Sequence, residues 1–274
     1  MARALRHENR RVIITPFRSP FGYTIRSDGY RRLPGRVLLL PTPTMSLPGD
    51  ANGVGQVKAN VVLVHGQWHD PRHFDLVVIR LRERGVTVAV PELHRGSLAA
   101  DTRVVQEVVD ALAPVVVLGH SYGGSVITGL TGVAHLVYVA AFVPDAGESA
   151  ASLGRSTHPI APAVLPADEG GTRLDPALAA EMMYAGCSPE RTAWAVALLR
   201  TQAAGCGRGV PQRQSWRDTP STYVVCSHDR AVDPVLQRQM AARCGSSVAW
   251  AIGHAPFVTS PDLVADLLTD LCTS

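Results

Sequence analysis

The segment Leu118-Gly119-His120-Ser121-Tyr122-Gly123-Gly124 contains a G-x-S-x-G pentapeptide in a setting that can make a serine reactive. It follows the apolar run Val115–Leu118 and precedes a stretch of helical character. A strand that turns abruptly into a helix holds its turn residue in a strained conformation. Glycines on either side avoid collision with the neighbouring strand and helix. The Ser121 hydroxyl would then stand in the open above a helix N-terminus. A serine hydroxyl is a poor nucleophile until a base removes its proton, and that base needs a carboxylate to orient it. The chemistry implied is acyl transfer, which also requires donors for the oxyanion of a tetrahedral intermediate.

The base is read as His254, which follows the apolar run Val248–Ile252 and so sits just past the carboxyl end of a strand. His120 lies inside the elbow with its side chain directed away from the Ser121 hydroxyl. His135 opens a strand at the wrong end, and His7, His94, His158 and His228 have no comparable strand-end context. The acid is read as Asp229, three residues beyond the strand Thr222–Cys226. Asp233, set before Pro234 as a helix cap, and Asp145, after a different strand, are the alternatives. The oxyanion donors are the backbone amide of Tyr122 and that of Gln67, in the loop His65-Gly66-Gln67-Trp68. An apolar substrate pocket is drawn from Met182, Met183, Tyr184, Trp194 and Leu198, with Trp68 and Phe257 beside the catalytic loops. His65, His69 and His73 recur every four residues. Only the stretch after Pro71 is helical, so they share no face, and no carboxylate or Cys completes a zinc set. No metal is expected. With no G-x-G-x-x-G after a strand and no Walker-type loop, no nucleotide cofactor is expected either.

The elements that must position these residues are legible from periodicity. Apolar strands are read at Val61–Val64, Val86–Val90, Val115–Leu118, Leu136–Ala141, Thr222–Cys226 and Val248–Ile252. Amphipathic helices alternate with them: Phe74, Val77, Val78 and Leu81 lie on one face, and Val104, Val105, Val108, Val109 and Leu112 on another. Further helices are read at Tyr122–Leu130, at Pro234–Arg243 and after Ser260-Pro261. Six strands alternating with helices predict an α/β fold, a mostly parallel doubly wound sheet with helices on both faces. Ligands of such sheets bind beyond the carboxyl ends of the strands, where Ser121 lies. The alternation stops between Pro144 and Pro220, where a helix capped by Ser188-Pro189 is the clearest feature. The organisation expected is an extension over 1–58, a core over 59–145 and 220–274, and a mainly helical lid over 146–219.

Composition sets bounds on function. The 274 residues are 46% hydrophobic and 18% charged, suited to one globular domain, and no run is long enough to span a membrane. The net charge of +3 is uneven. Residues 1–36 carry nine Arg against Glu8 and Asp28, so the basic excess belongs to the N-terminal stretch and not to a nucleic-acid surface. Arg11–Phe17 and Arg36–Leu40 are possible short strands there, and Met45 is a sensible alternative start. Five cysteines without C-x-x-C spacing favour a reducing, cytoplasmic setting. The partner expected is a small-molecule ester, and the chain is a monomer or homodimer.

His65-Gly66-Gln67-Trp68-His69, Gly119–Gly124 and Gly253-His254-Ala255-Pro256-Phe257 resemble the α/β-hydrolase superfamily. More narrowly, they resemble its compact branch of plant methylesterases, hydroxynitrile lyases and bacterial esterase-like proteins. The resemblance covers about residues 59–274. It implies a Ser121–His254–Asp229 triad, backbone oxyanion donors at Gln67 and Tyr122, and no cofactor. The lyases of the branch carry Thr where this chain has Gly66, and Lys, which stabilises the cyanide leaving group, where it has Ala255. The resemblance therefore points to a serine hydrolase cleaving a small to medium carboxylic ester through an acyl-enzyme. A non-hydrolytic relative, either a cofactor-free lyase or a receptor-like binding protein, is the alternative.

Overall fold

The computed structural model describes residues 59–93, 96–156 and 159–273. The expected N-terminal extension, its two short strands and the Met45 start lie outside those residues, as do His94 and His158. Along the chain come β1 (Asn60–Val64), α1 (Asp75–Glu83), β2 (Val88–Ala89), α2 (Leu98–Leu112), β3 (Val115–His120), α3 (Tyr122–Thr128) and β4 (His135–Val139). The stretch that follows holds α4 (Ala150–Leu153), the antiparallel pair β5 (Val164–Pro166) and β6 (Thr172–Leu174), α5 (Pro176–Met183) and α6 (Pro189–Ala197). The chain returns through β7 (Ser221–Cys226), α7 (Pro234–Ala241), β8 (Ser246–Trp250), α8 (Pro256–Thr259) and α9 (Pro261–Thr273).

Six strands form one parallel sheet in the order β2-β1-β3-β4-β7-β8. Strand periodicity decides which core each residue joins, because successive side chains point to opposite faces. Val61, Leu63, Val116, Leu118, Val137 and Val139 pack on one face with residues of α1 and α9. Val62, Val64, Val115, Val117, Leu136 and Tyr138 pack on the other with residues of α2, α3 and α7. Both faces are dry, which is why the central strands read as continuous apolar runs. Among the described residues no helix is long and apolar enough to cross a membrane.

Three differences from the sequence reading have physical causes. β2 shrinks to two residues because it is an edge strand that pairs only with β1. β8 lies two residues earlier than expected. Its Ser246 and Ser247 pair through backbone with Thr222 and Tyr223, and the strand is a solvent-exposed edge, so apolarity does not mark it. Between β4 and β7 the expected helical character is accompanied by the hairpin β5–β6, whose three-residue strands are too short for a period-2 signal.

Candidate active site

Ser121 stands between β3 and α3 with φ 53° and ψ −120°, in the left-handed region that L side chains avoid. Such a conformation costs on the order of 1–3 kcal/mol and persists only where its surroundings enforce it. Here the Ser121 N–H donates to the Val139 carbonyl, and its own carbonyl accepts from Phe142 and Gly124. The turn is as tight as the glycines allow. A Cβ on Gly119 would stand 2.6 Å from the Gly123 carbonyl oxygen, and one on Gly123 would strike the Val64 carbonyl.

The loop after β1 passes directly over this turn. A Cβ on Gly66 would come within 2.9 Å of the Ser121 Cβ and 3.1 Å of the His120 Nδ1. The residue before the Gln67 amide thus lies against the residue before the Tyr122 amide, which opens α3. Among the described residues neither amide has an acceptor.

His254 follows β8 by four residues, and Asp229 follows β7 by three. Their loops are laced together: Ser227 N–H donates to the Trp250 carbonyl and His228 N–H to that of Ile252. His254 Nδ1 lies 2.7 Å from Asp229 Oδ2, and both residues are buried. The Asp229 carboxylate is fully engaged. Its Oδ1 accepts from the amides of Ala231 and Val232 at 2.7 and 2.9 Å, and its Oδ2 also accepts from Gln237 Nε2 at 2.7 Å. Gln237, fully buried on α7, accepts in turn from the Cys226 amide at 2.8 Å. The other two acids are occupied elsewhere. Asp233 caps α7 by accepting from Val235 N at 2.7 Å, and Asp145 is held by Arg217 at 2.5 Å on the surface.

Ser121 and His254 border one cavity of about 320 Å³, together with Gln67, Trp68 and Met183. The five other expected pocket residues do not line it. Tyr184 is buried, with its hydroxyl turned to His69 and His73. Phe257 packs beneath, against Phe74 and His120 at 4.7 Å between centroids in each case. Trp194 tilts against His73, Leu198 is buried at the end of α6, and Met182 packs on the core. Adjacent residues of a helix point about 100° apart, so Met182 and Met183 cannot share a wall. Their places are taken by Phe142, Ile160, Val164, Cys206 and Val232, a mostly apolar lining with Arg208 at its rim. The insertion is fastened to the loop after β1: Trp68 Nε1 donates to Thr172 Oγ1 at 3.0 Å, and Arg200 N donates to the Trp68 carbonyl at 2.8 Å.

Three further histidines have structural partners. His65 Nε2 accepts from the Leu93 amide at 3.2 Å. His73 reaches the Ala195 carbonyl at 2.9 Å, and His120 the His254 carbonyl at 2.9 Å. Burial, with neighbouring imidazoles adding to it, holds His69 and His120 well below the usual histidine range. Burial likewise brings His73 down to about 4. Sequence reasoning missed Gln237 and the packing of His120 on His254, at 4.5 Å between centroids. The signal for Gln237 was available: it lies in the buried stripe Leu236, Gln237, Met240, Ala241 of α7, where an amide needs partners.

The chain matches known proteins over the same region. It is 28% identical over 242 residues to an α/β hydrolase of Aspergillus novofumigatus, covering 77% of this chain and 96% of that one. It is 27% identical over 243 residues to a pyrethroid hydrolase of Sphingobium wenxiniae, covering 77% and 86%. A crystal structure of a pyrethroid hydrolase from Sphingobium faniae superposes with a TM-score of 0.68 at 24% identity, covering 78% of this chain and 97% of that one. A methylesterase structure from Arabidopsis does so at 0.66 and 16%, covering 77% and 98%. The model of the alpha/beta hydrolase family matches residues 61–267, and the chain belongs to that family.

Proposed function

We propose that this hydrolase cleaves a carboxylic ester of small to medium size through an acyl intermediate on Ser121. Ser121 Oγ attacks the carbonyl carbon as His254 Nε2 takes its proton. Asp229 holds the ring with Nδ1 protonated and stabilises the imidazolium that forms. The amides of Gln67 and Tyr122 hold the oxyanion. His254 then protonates the leaving alcohol. A water, deprotonated by the same nitrogen, releases the acid and restores Ser121.

One observation carries this reading. A strained serine at the end of a central strand opens on the same cavity as an imidazole, whose far nitrogen is 2.7 Å from a saturated, buried carboxylate. The mainly apolar wall suits the acyl or alcohol part of an ester. The relatives named for pyrethroid hydrolysis point the same way.

The test is a fluorophosphonate probe followed by peptide mapping, beside a panel of p-nitrophenyl esters. Stoichiometric labelling at Ser121, lost in Ser121→Ala, with turnover of short and medium chains, is the expected result. An unlabelled serine with no turnover favours a binding protein on the same scaffold.

A further inference from the structure

We propose that the buried series His73, Tyr184, His69 and His120 is a positioning device that ties the insertion to the His254 loop. Its catalytic meaning rests on the reading of His254 as the base, but its hydrogen-bond order does not.

Each link in the series fixes the next. His73 Nε2 lies 2.9 Å from the Ala195 carbonyl, which can only accept, so that nitrogen carries the proton. His73 Nδ1, 3.0 Å from both the amide and the carbonyl of Asp70, is then a lone pair and accepts from the amide. The Tyr184 hydroxyl lies 3.0 Å from His73 Nε2 and 3.2 Å from His69 Nε2. The first nitrogen already bears a hydrogen, so the phenol donates to the second. His69 Nε2 is thus an acceptor, and the His69 proton sits on Nδ1. From the other end, His120 Nε2 must donate to the His254 carbonyl at 2.9 Å, which leaves His120 Nδ1 a lone pair.

Two atoms of the series remain without a partner among the described residues: His69 Nδ1 and His120 Nδ1. By these assignments one is a donor and the other an acceptor. Their rings face each other edge-on, 5.2 Å between centroids at 81°. The link from His69 to His120 is therefore this perpendicular ring contact and not a hydrogen bond. Hydrogen bonds and this one ring contact together run from the Ala195 carbonyl of α6 to the carbonyl of His254.

The consequence concerns the base. His120 packs on the His254 ring at 4.5 Å between centroids, while Asp229 holds its Nδ1. Burial keeps His69, His73 and His120 neutral, so a positive charge arriving on His254 meets no like charge from behind. The series fixes the His254 backbone without opposing its protonation. It also makes the placement of Tyr184 and Ala195 felt at the base.

The direct test is long-range ¹H–¹⁵N correlation on the full chain with ¹⁵N-histidine. The expected spectrum at pH 7 shows Nε2–H tautomers for His73 and His120, and Nδ1–H for His69, all neutral. An Nε2–H tautomer on His69, or a charged ring among the three, overturns the proposal whether or not any ester is hydrolysed. Two variants test the coupling. Tyr184→Phe removes one hydroxyl; it should release the fixed tautomer of His69 and lower kcat about three- to tenfold with KM nearly unchanged. His120→Gln keeps a donor for the His254 carbonyl and should stay within about fivefold of wild type, while His120→Leu should lose about a hundredfold. Equal losses in the Gln and Leu variants, or a His69 tautomer unmoved by Tyr184→Phe, would refute it.

Discussion

Asp229→Asn is the sharpest perturbation this site offers, because every acceptor position of the carboxylate is in use. Two backbone amides converge on Oδ1, and Gln237 Nε2 and His254 Nδ1 converge on Oδ2. An asparagine must place its single carbonyl oxygen on one pair. The two amides of Ala231 and Val232 cannot rotate away, so they take it. The new NH₂ then faces His254, which can receive it only as a lone pair on Nδ1. The imidazole proton moves to Nε2, the nitrogen that has to accept from Ser121. In the serine-protease triad the same tautomer error lowers kcat by about 10⁴, or about 5.5 kcal/mol of transition-state stabilisation. The rearranged amide also confronts Gln237 Nε2 donor to donor, so a loss of about 1–3 kcal/mol in unfolding free energy should accompany it. The assay is kcat for a p-nitrophenyl ester beside urea unfolding, with Asp233→Asn as control. Asp233 only caps α7, and asparagine caps as well as aspartate, so the control should keep its activity. Activity of Asp229→Asn within tenfold of wild type, or a greater loss in Asp233→Asn, would refute the assignment of the acid.

Four further outcomes follow from the same geometry. Gln237→Leu should orphan the Cys226 amide and weaken the hold on Asp229, lowering unfolding free energy by about 2–4 kcal/mol with a smaller loss of kcat than Asp229→Asn; unchanged unfolding would contradict it. Gly66→Ala must displace either Ser121 or the Gln67 amide, since its Cβ would be 2.9 Å from that of Ser121, and kcat should fall on the order of 10–100-fold at a nearly constant KM. His73, brought down to about 4, binds protons more readily in the unfolded chain, so its contribution to stability is complete above about pH 6.5 and is lost as pH falls towards 4; that is about 2 kcal/mol by pH 5, before His69 and His120 add to it, and unfolding curves that do not shift between pH 7 and 5 would refute it. Arg208, exposed at the cavity rim, should favour an ester with a terminal carboxylate over its neutral homologue, and Arg208→Glu should shift the kcat/KM ratio about two- to fivefold or more towards the neutral ester.

The sheet was legible in the sequence because its central strands are buried on both faces. Val61–Val64 and Val115–Leu118 have no polar side chain to confuse the period. The edges were not, because Ser246 and Ser247 join β8 through backbone pairing and the Ser246 hydroxyl, not through apolar side chains. Proximity of the strand ends to the proposed base and acid was legible for a topological reason. In a parallel sheet every β-to-α loop leaves at the same end, so residues just past Val64, His120, Cys226 and Trp250 must converge. The pocket was less legible, since only Trp68 and Met183 of its expected side chains border the cavity. Hydrophobicity shows that Tyr184, Trp194 and Phe257 are buried but not what they are buried against. Tyr184 turned inward because two imidazoles lie there to use its hydroxyl. That need is invisible to periodicity.

The two positions that separate this chain from the lyases it resembles are closed for different physical reasons, in keeping with the ester chemistry proposed above. At Gly66 the obstacle is steric. Any Cβ meets Ser121 at 2.9 Å and His120 at 3.1 Å, so a threonine requires the elbow and the loop after β1 to part. At Ala255 the obstacle is electrostatic. The residue is 0% exposed within the apolar core cluster that holds Phe257 and Val258, where a lysine would have to leave its ammonium desolvated or carry it past the Ala255 neighbours into the cavity. A cyanide leaving group needs a cation beside it, whereas an alkoxide needs a proton, which His254 supplies in the proposed mechanism. The environment of Ala255 accords with the proposed route, in which the imidazole hands a proton to the leaving group. The saturated carboxylate behind that imidazole, with Gln237 locking its second oxygen, is the arrangement such a transfer requires.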